Sequence, residues 1–105
     1  MNKIISIKDY SIVSDVIYFE DSDLEIHLKF GENVTITFTG KDHMKFTMFN
    51  ATKRAMLKQN NYKILQARGY KIVVAHSIGK MSRKEKIDEM QWLISDIIEE
   101  CYEAQ

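Results

Sequence analysis

Residues 24–39 read Leu-Glu-Ile-His-Leu-Lys-Phe-Gly-Glu-Asn-Val-Thr-Ile-Thr-Phe-Thr. Leu24, Ile26, Leu28 and Phe30 alternate with Glu25, His27 and Lys29. Val34, Ile36 and Phe38 then alternate with Thr35, Thr37 and Thr39. A period of two places one set on each face of a pleated strand. Gly31-Glu32-Asn33 between the two runs forms a three-residue connection containing residues that tolerate positive φ. The stretch therefore reads as a β-hairpin with an apolar face and a polar face. The threonines lie on the polar face, where β-branching suits a pleated surface.

The same logic extends upstream. Ile4–Lys8 and Ser11–Phe19 are β-branched and apolar, and Asp21-Ser22-Asp23 reads as the turn into the hairpin. Short connections favour sequential antiparallel neighbours, so the first 40 residues are predicted to form a four-stranded meander.

Downstream, Gly40-Lys41-Asp42 ends the sheet. Residues 45–50 fit two patterns. Phe46 and Met48 suit a strand, whereas Met44, Met48, Ala51 and Ala55 suit one helical stripe. Thr52–Lys58 reads as helix, Asn60-Asn61 as a break, and Tyr62–Arg68 as a resumption of helix capped by Gly69. Tyr70–His76 contains the continuous apolar run Ile72-Val73-Val74-Ala75, as in a strand covered on both faces. If it joins the sheet, it does so centrally. Ser82-Arg83-Lys84-Glu85 is a capping box. Behind it Ile87, Met90, Ile94, Ile97 and Cys101 recur at helical spacing. The expected class is α+β: the meander, then helix, strand and a C-terminal amphipathic helix, with helices on one face of the sheet.

The chain has 105 residues, 45% hydrophobic and 29% charged, which suits one globular domain spanning 1–105. One cysteine excludes an intramolecular disulfide framework. With no leader-like or membrane-spanning apolar run, a cytoplasmic location is expected. The net charge of zero hides a segregation. Residues 1–40 hold three Lys against seven Asp/Glu. Residues 41–71 hold six Lys and two Arg against one Asp. Residues 72–105 hold four Lys/Arg against seven Asp/Glu.

Chemistry-bearing motifs are sparse. The sequence contains no dinucleotide fingerprint, Walker loop, nucleophile elbow or HExxH. His27, His43 and His76 fall on separate elements without ligand-like spacing. Cys101 sits on an apolar stripe, where a thiol is a small core residue. No catalytic residue, metal or cofactor is assigned, and a non-enzymatic role is expected.

Two constellations remain. Trp92 falls almost opposite the apolar stripe of the last helix, among Asp88, Asp96, Glu99 and Glu103. An aromatic anchor in an acidic stripe suits a protein partner unless another element covers it. The basic segment 41–71 offers Lys53, Arg54, Lys58, Lys63, Arg68 and Lys71, interleaved with Gln59, Asn60, Asn61, Tyr62 and Tyr70. That composition suits phosphates and bases, which makes a nucleic-acid-binding regulator the alternative. Small size, Lys- and Ile-rich composition and charge segregation suit a phage or mobile-element inhibitor of a host nucleic-acid enzyme. The near-heptad stripe leaves a homodimer through the last helix open.

Phe49-Asn50-Ala51-Thr52-Lys53 resembles the opening of KilA-N domains, a family of phage and viral DNA-binding proteins. The likeness covers five residues. The strand and capped acidic helix that follow do not match that family's helical continuation, so no site residue is carried over.

Overall fold

The computed structural model describes residues 2–6, 12–41, 43–59, 62–75 and 78–104. The elements run β1 (Asn2–Ser6), β2 (Val13–Tyr18), β3 (Glu25–Phe30), β4 (Val34–Thr39), α1 (Lys45–Leu57), β5 (Lys63–Arg68), β6 (Lys71–Ala75) and α2 (Arg83–Glu103). The strands form one sheet in the order β1-β2-β3-β4-β6-β5. Every neighbouring pair is antiparallel.

Residue parity in the β3–β4 hairpin organises the rest. Ile26 lies opposite Phe38, Leu28 opposite Ile36, and Phe30 opposite Val34. All six are buried. Antiparallel partners share a face, so the pattern passes outward along the ladder. On one side it reaches Val13 and Ile17 of β2. On the other it reaches Ile72 and Val74 of β6. Both helices cover this face: α2 packs on β2 and β3, α1 on β4 and β5, and the two helices pack on each other.

The sequence ambiguity at 45–50 resolves as helix. Met48, Ala51 and Ala55 form the buried stripe of α1, while Phe46 points the other way. The capping box of α2 is present: Glu85 N–H donates to Ser82 Oγ at 3.2 Å, and Ser82 N–H to Glu85 Oε1 at 3.1 Å. Met90, Ile94, Ile97 and Cys101 are buried with Leu93. The near-heptad stripe is thus occupied inside the fold. No helix among the described residues is long and apolar enough to cross a membrane.

One expectation fails. Tyr62–Arg68 does not resume the helix, and Gly69 is not a helix cap. The stretch is the edge strand β5, paired to β6 across Gly69-Tyr70. Both turn residues have positive φ, 62° and 57°, which is the signature of a two-residue type I′ hairpin. Lys-Ile-Leu-Gln-Ala-Arg has good helix formers, but ladder pairing with β6 outweighs that small preference. Ile64, opposite Val74, is half-buried against the core, whereas Leu65 is exposed. Leu65 is the extra residue of a bulge between Ile64 and Gln66. The bulge and the flanking Lys63 and Arg68 blunt this edge against further strand pairing. The β6 strand lies between β4 and β5, inside the sheet as expected. The Asn60-Asn61 break, Asp42, His76, and Lys8 and Ser11 of the first two expected strands lie outside the described residues.

Two features impose sharp constraints. Gly40 has φ 109°, and a Cβ there would stand 2.2 Å from the carbonyl oxygen of Asp23. Asp15 sits in β2 opposite Leu28, on the covered face, and is 1% exposed. Lys86, in the helix that packs on β2, is 2% exposed. Both side chains are engaged in the structure. Two opposite charges have thus been taken out of water, one in β2 and one in the helix that packs on it, and burial of either is costly without compensation.

Gly40→Ala is expected to lower stability by about 2–4 kcal/mol, from backbone strain plus the clash. Asp15→Leu or Lys86→Met alone should each cost about 3–5 kcal/mol in urea unfolding, because each strands a buried charge. The double variant should recover most of that loss. Additive losses would show that the two charges are compensated separately.

Candidate functional site

The outer flank of α2 is the first candidate surface. Met90, Leu93, Ile94 and Ile97 face the core, so the helical period turns Asp88, Trp92, Ser95 and Glu99 outward. Asp88, Gln91, Trp92, Ser95, Asp96 and Glu99 line one shallow open depression. All six belong to one helix, so this is a convex flank with a ring on it rather than a cleft between elements. Trp92 is 75% exposed. Cover from within the fold, one of the two options left by the sequence, is therefore not what the described residues provide.

The carboxylates around Trp92 differ in kind. Asp88, Glu99 and Glu103 are exposed. Asp96 is half-buried and accepts a hydrogen bond from the Gln59 side chain, just beyond α1. Asp96 is thus partly a strut between the helices. Glu100, on the inner side of α2, is the main strut. It accepts a hydrogen bond from Lys58 Nζ, and Arg54 Nε lies 3.5 Å from its other oxygen. The Lys58 hydrogen bond holds the Glu100 carboxyl below the usual carboxylate range, with Lys58's charge and Arg54 adding to it. The same contact raises Lys58.

This arrangement divides the basic segment. Arg54 and Lys58 are spent on Glu100, and Gln59 on Asp96. Tyr62 is buried, and its hydroxyl donates to Glu89 at 2.9 Å. Burial first, and then that hydrogen bond, push its phenol well above the ordinary range. Four of the residues read from sequence as available to nucleic acid thus have partners within the fold, Arg54 and Lys58 while more than half exposed. Asn60 and Asn61 lie outside the described residues. Lys53 remains on α1. Lys63, Arg68 and Lys71 remain on the β5–β6 hairpin.

Those three basic residues share the uncovered face of the sheet. Ala67 lies opposite Ile72, on the covered side, so Arg68 and its partner Lys71 lie on the other. Lys71 pairs with Thr37, Thr37 with His27, and Thr35 with Lys29. Lys63 lies opposite Ala75.

Two reactive-looking groups can be judged by geometry. Glu25 Oε1 and Thr39 Oγ1 contact His27 at 2.9 and 3.2 Å, but both meet the same ring nitrogen, Nε2. A hydroxyl-activating triad uses opposite nitrogens of the imidazole for its two partners. The trio is a surface hydrogen-bond cluster on the open face. Cys101 is buried, and burial pushes its thiol up to about 11. It packs as a core residue, as its sequence position suggests. Among the described residues, no group of three or more His, Cys, Asp or Glu side chains could hold a metal ion.

No family model, curated protein or solved structure matches the chain. The five-residue KilA-N likeness falls within α1 of an α+β fold, and its Ala51 and Thr52 are buried in the helix layer.

The helix strut sets a pH dependence. A depressed carboxyl contributes stability that is present above its unfolded value of about 4.3 and is lost as pH falls through the folded value. Raised Lys58 contributes below its unfolded value of about 10.4 and loses that contribution as pH rises through its folded value. Glu100→Gln should therefore narrow the gap to the parent chain in acid and leave it widest near neutral pH. Thermal melts between pH 2 and 8 would check this. A gap independent of pH would assign the loss to packing.

Proposed function

We propose that the chain is a small non-enzymatic binding module whose working surface is the outer flank of α2. The observation that carries this reading is Trp92, a large ring 75% exposed within a row of carboxylates on a well-anchored helix. Trp is enriched among residues that dominate binding energy, where they insert into a pocket on the partner. Asp88, Glu99 and Glu103 around it favour a partner with a basic rim. Opposed potentials raise the association rate and reject acidic competitors. Lys or Arg on the partner could also lie against the indole face.

A basic nucleic-acid channel of an enzyme is one concrete partner with this chemistry. Occupying such a channel would make the chain an inhibitor by competition with the nucleic acid. The capping box and the Glu100 strut support this role, because they hold the flank rigid and reduce the ordering cost of docking.

The test is affinity capture from a bacterial lysate treated with nuclease, followed by titration of the retained protein. Trp92→Ala is expected to weaken its binding by about thirtyfold, the factor that matches roughly 2 kcal/mol. Asp88→Lys combined with Glu99→Lys should weaken it further and slow association. Asp96 is left intact because its bond to Gln59 belongs to the fold. Binding indifferent to both variants would overturn the reading.

A further inference from the structure

The outer surface of the helix layer extends the α2 flank onto α1. Both helices cover the same side of the sheet and pack on each other, so their outward rows form one surface. In α1 the buried residues Met48, Ala51, Thr52 and Ala55 face inward. The helical period then turns Phe46, Asn50 and Leu57 outward, and Phe46 and Leu57 are 65% and 68% exposed. Gln59 donates to Asp96, one helical turn from Trp92, and Lys58 to Glu100. These bonds bring the Leu57 end of α1 beside the part of α2 that carries the exposed indole.

The surface is divided by charge. Residues 45–58 contain Lys45, Lys53, Arg54 and Lys58 and no carboxylate. Glu100 accepts from Arg54 and Lys58, yet their side chains stay 53% and 66% exposed, whereas that of Glu100 is 7% exposed. The α1 strip therefore shows positive charge to the outside. Residues 88–103 contain six carboxylates and no Lys or Arg. A partner with a uniformly basic face is repelled over α1, and a uniformly acidic one over α2. The complement is an acidic strip beside a basic one, and a second copy of this chain supplies it. A two-fold axis lying in the interface along the helices sets α1 of each copy on α2 of the other, so every favourable pairing occurs twice.

We infer that the chain forms a two-fold homodimer through its helix layer, burying Trp92 and Leu57 of both copies between oppositely charged strips. Helices of 13 and 21 residues, each about 10 Å wide, present about 500 Å² per copy. The pair buries about 1,000 Å² in total, the lower end for a specific interface. The dimer is therefore weak, with a dissociation constant on the order of 10 μM. The inference rests on the reading of the α2 flank as a docking surface. In the dimer that flank is covered until another protein displaces the second copy.

The test is sedimentation equilibrium on the full chain from roughly 1 μM to 1 mM, with Trp92 emission followed over the same range. A dimer is expected, with a blue shift that tracks it and a weakening as salt screens the charged strips. Leu57→Ala, at an exposed position that leaves the fold intact by circular dichroism, should raise the dissociation constant about tenfold, since it acts once in each copy. Lys53→Glu or Glu99→Lys alone should weaken the dimer. Both in one chain should restore it, because each reversed α1 then faces a reversed α2. Arg68→Gln with Lys71→Gln, on the open face of the sheet, should change nothing. A chain monomeric at about 1 mM would overturn the inference. Capture of another protein through Trp92 by that monomer would leave the flank reading standing alone. A dimer indifferent to Leu57→Ala and Lys53→Glu would also overturn it. So would assembly beyond two copies that the Arg68 and Lys71 variant abolishes, which would stack the acidic flank on the open face instead.

Discussion

The fold depends on a sheet covered on one side only. Because the side-chain period of a strand is two, the row of residues that the helices cover must keep one parity across five successive strands, from Val13 to Ile64. A slip of one residue anywhere would turn a whole apolar row to water. The β3–β4 hairpin sets that parity for its neighbours. The two helices then have a defined task, which is to cover the apolar side with Met48, Ala51 and Ala55 from α1 and Met90, Leu93, Ile94 and Ile97 from α2.

The same constraint distributes charge. Residues excluded from the covered side must appear on the open face or on the outer helix flanks. The basic middle of the sequence does not become a single basic surface, because α1 and the β5–β6 hairpin present their cations in different directions. Part of it is neutralised by the acidic C-terminal segment, through Arg54, Lys58 and Glu100. Segregation along the chain and segregation in space are therefore different quantities here. The first suggests one basic patch and two acidic ones. The second yields an acidic helix flank, a helix seam of paired charges, and cations divided between α1 and the open face of the sheet.

How far the sequence could be read follows from how local each signal is. The meander and α2 were legible because alternation over residues 24–39 and the Ser82–Glu85 box need no knowledge of distant partners. The exposure of Trp92 was legible in part: the helical wheel placed it opposite the stripe, but only the assembled layers show that nothing described covers it. β5 was misread because Lys-Ile-Leu-Gln-Ala-Arg is helix-compatible and its edge position leaves it without alternation. The two-residue spacer Gly69-Tyr70 between Arg68 and Lys71 was the available hairpin signal, obscured because Tyr is an unusual occupant of a positive-φ position. The edge-to-face contacts of Phe49 with Phe38 and Tyr70 were not legible, because the three rings come from three elements whose meeting depends on the position of β6 between β4 and β5.

The exposure of Trp92 also bears on what an optical measurement of this molecule reports. It is the sole indole in the chain, and it already stands in water in the folded state. Its emission should therefore be red-shifted at the outset and change little when the core melts. Intrinsic fluorescence would be a poor witness to unfolding and a sensitive one to events on the α2 flank, where burial of the ring would move the spectrum to the blue. The five tyrosines, of which Tyr62 is buried among core residues, are the better chromophores for following the interior.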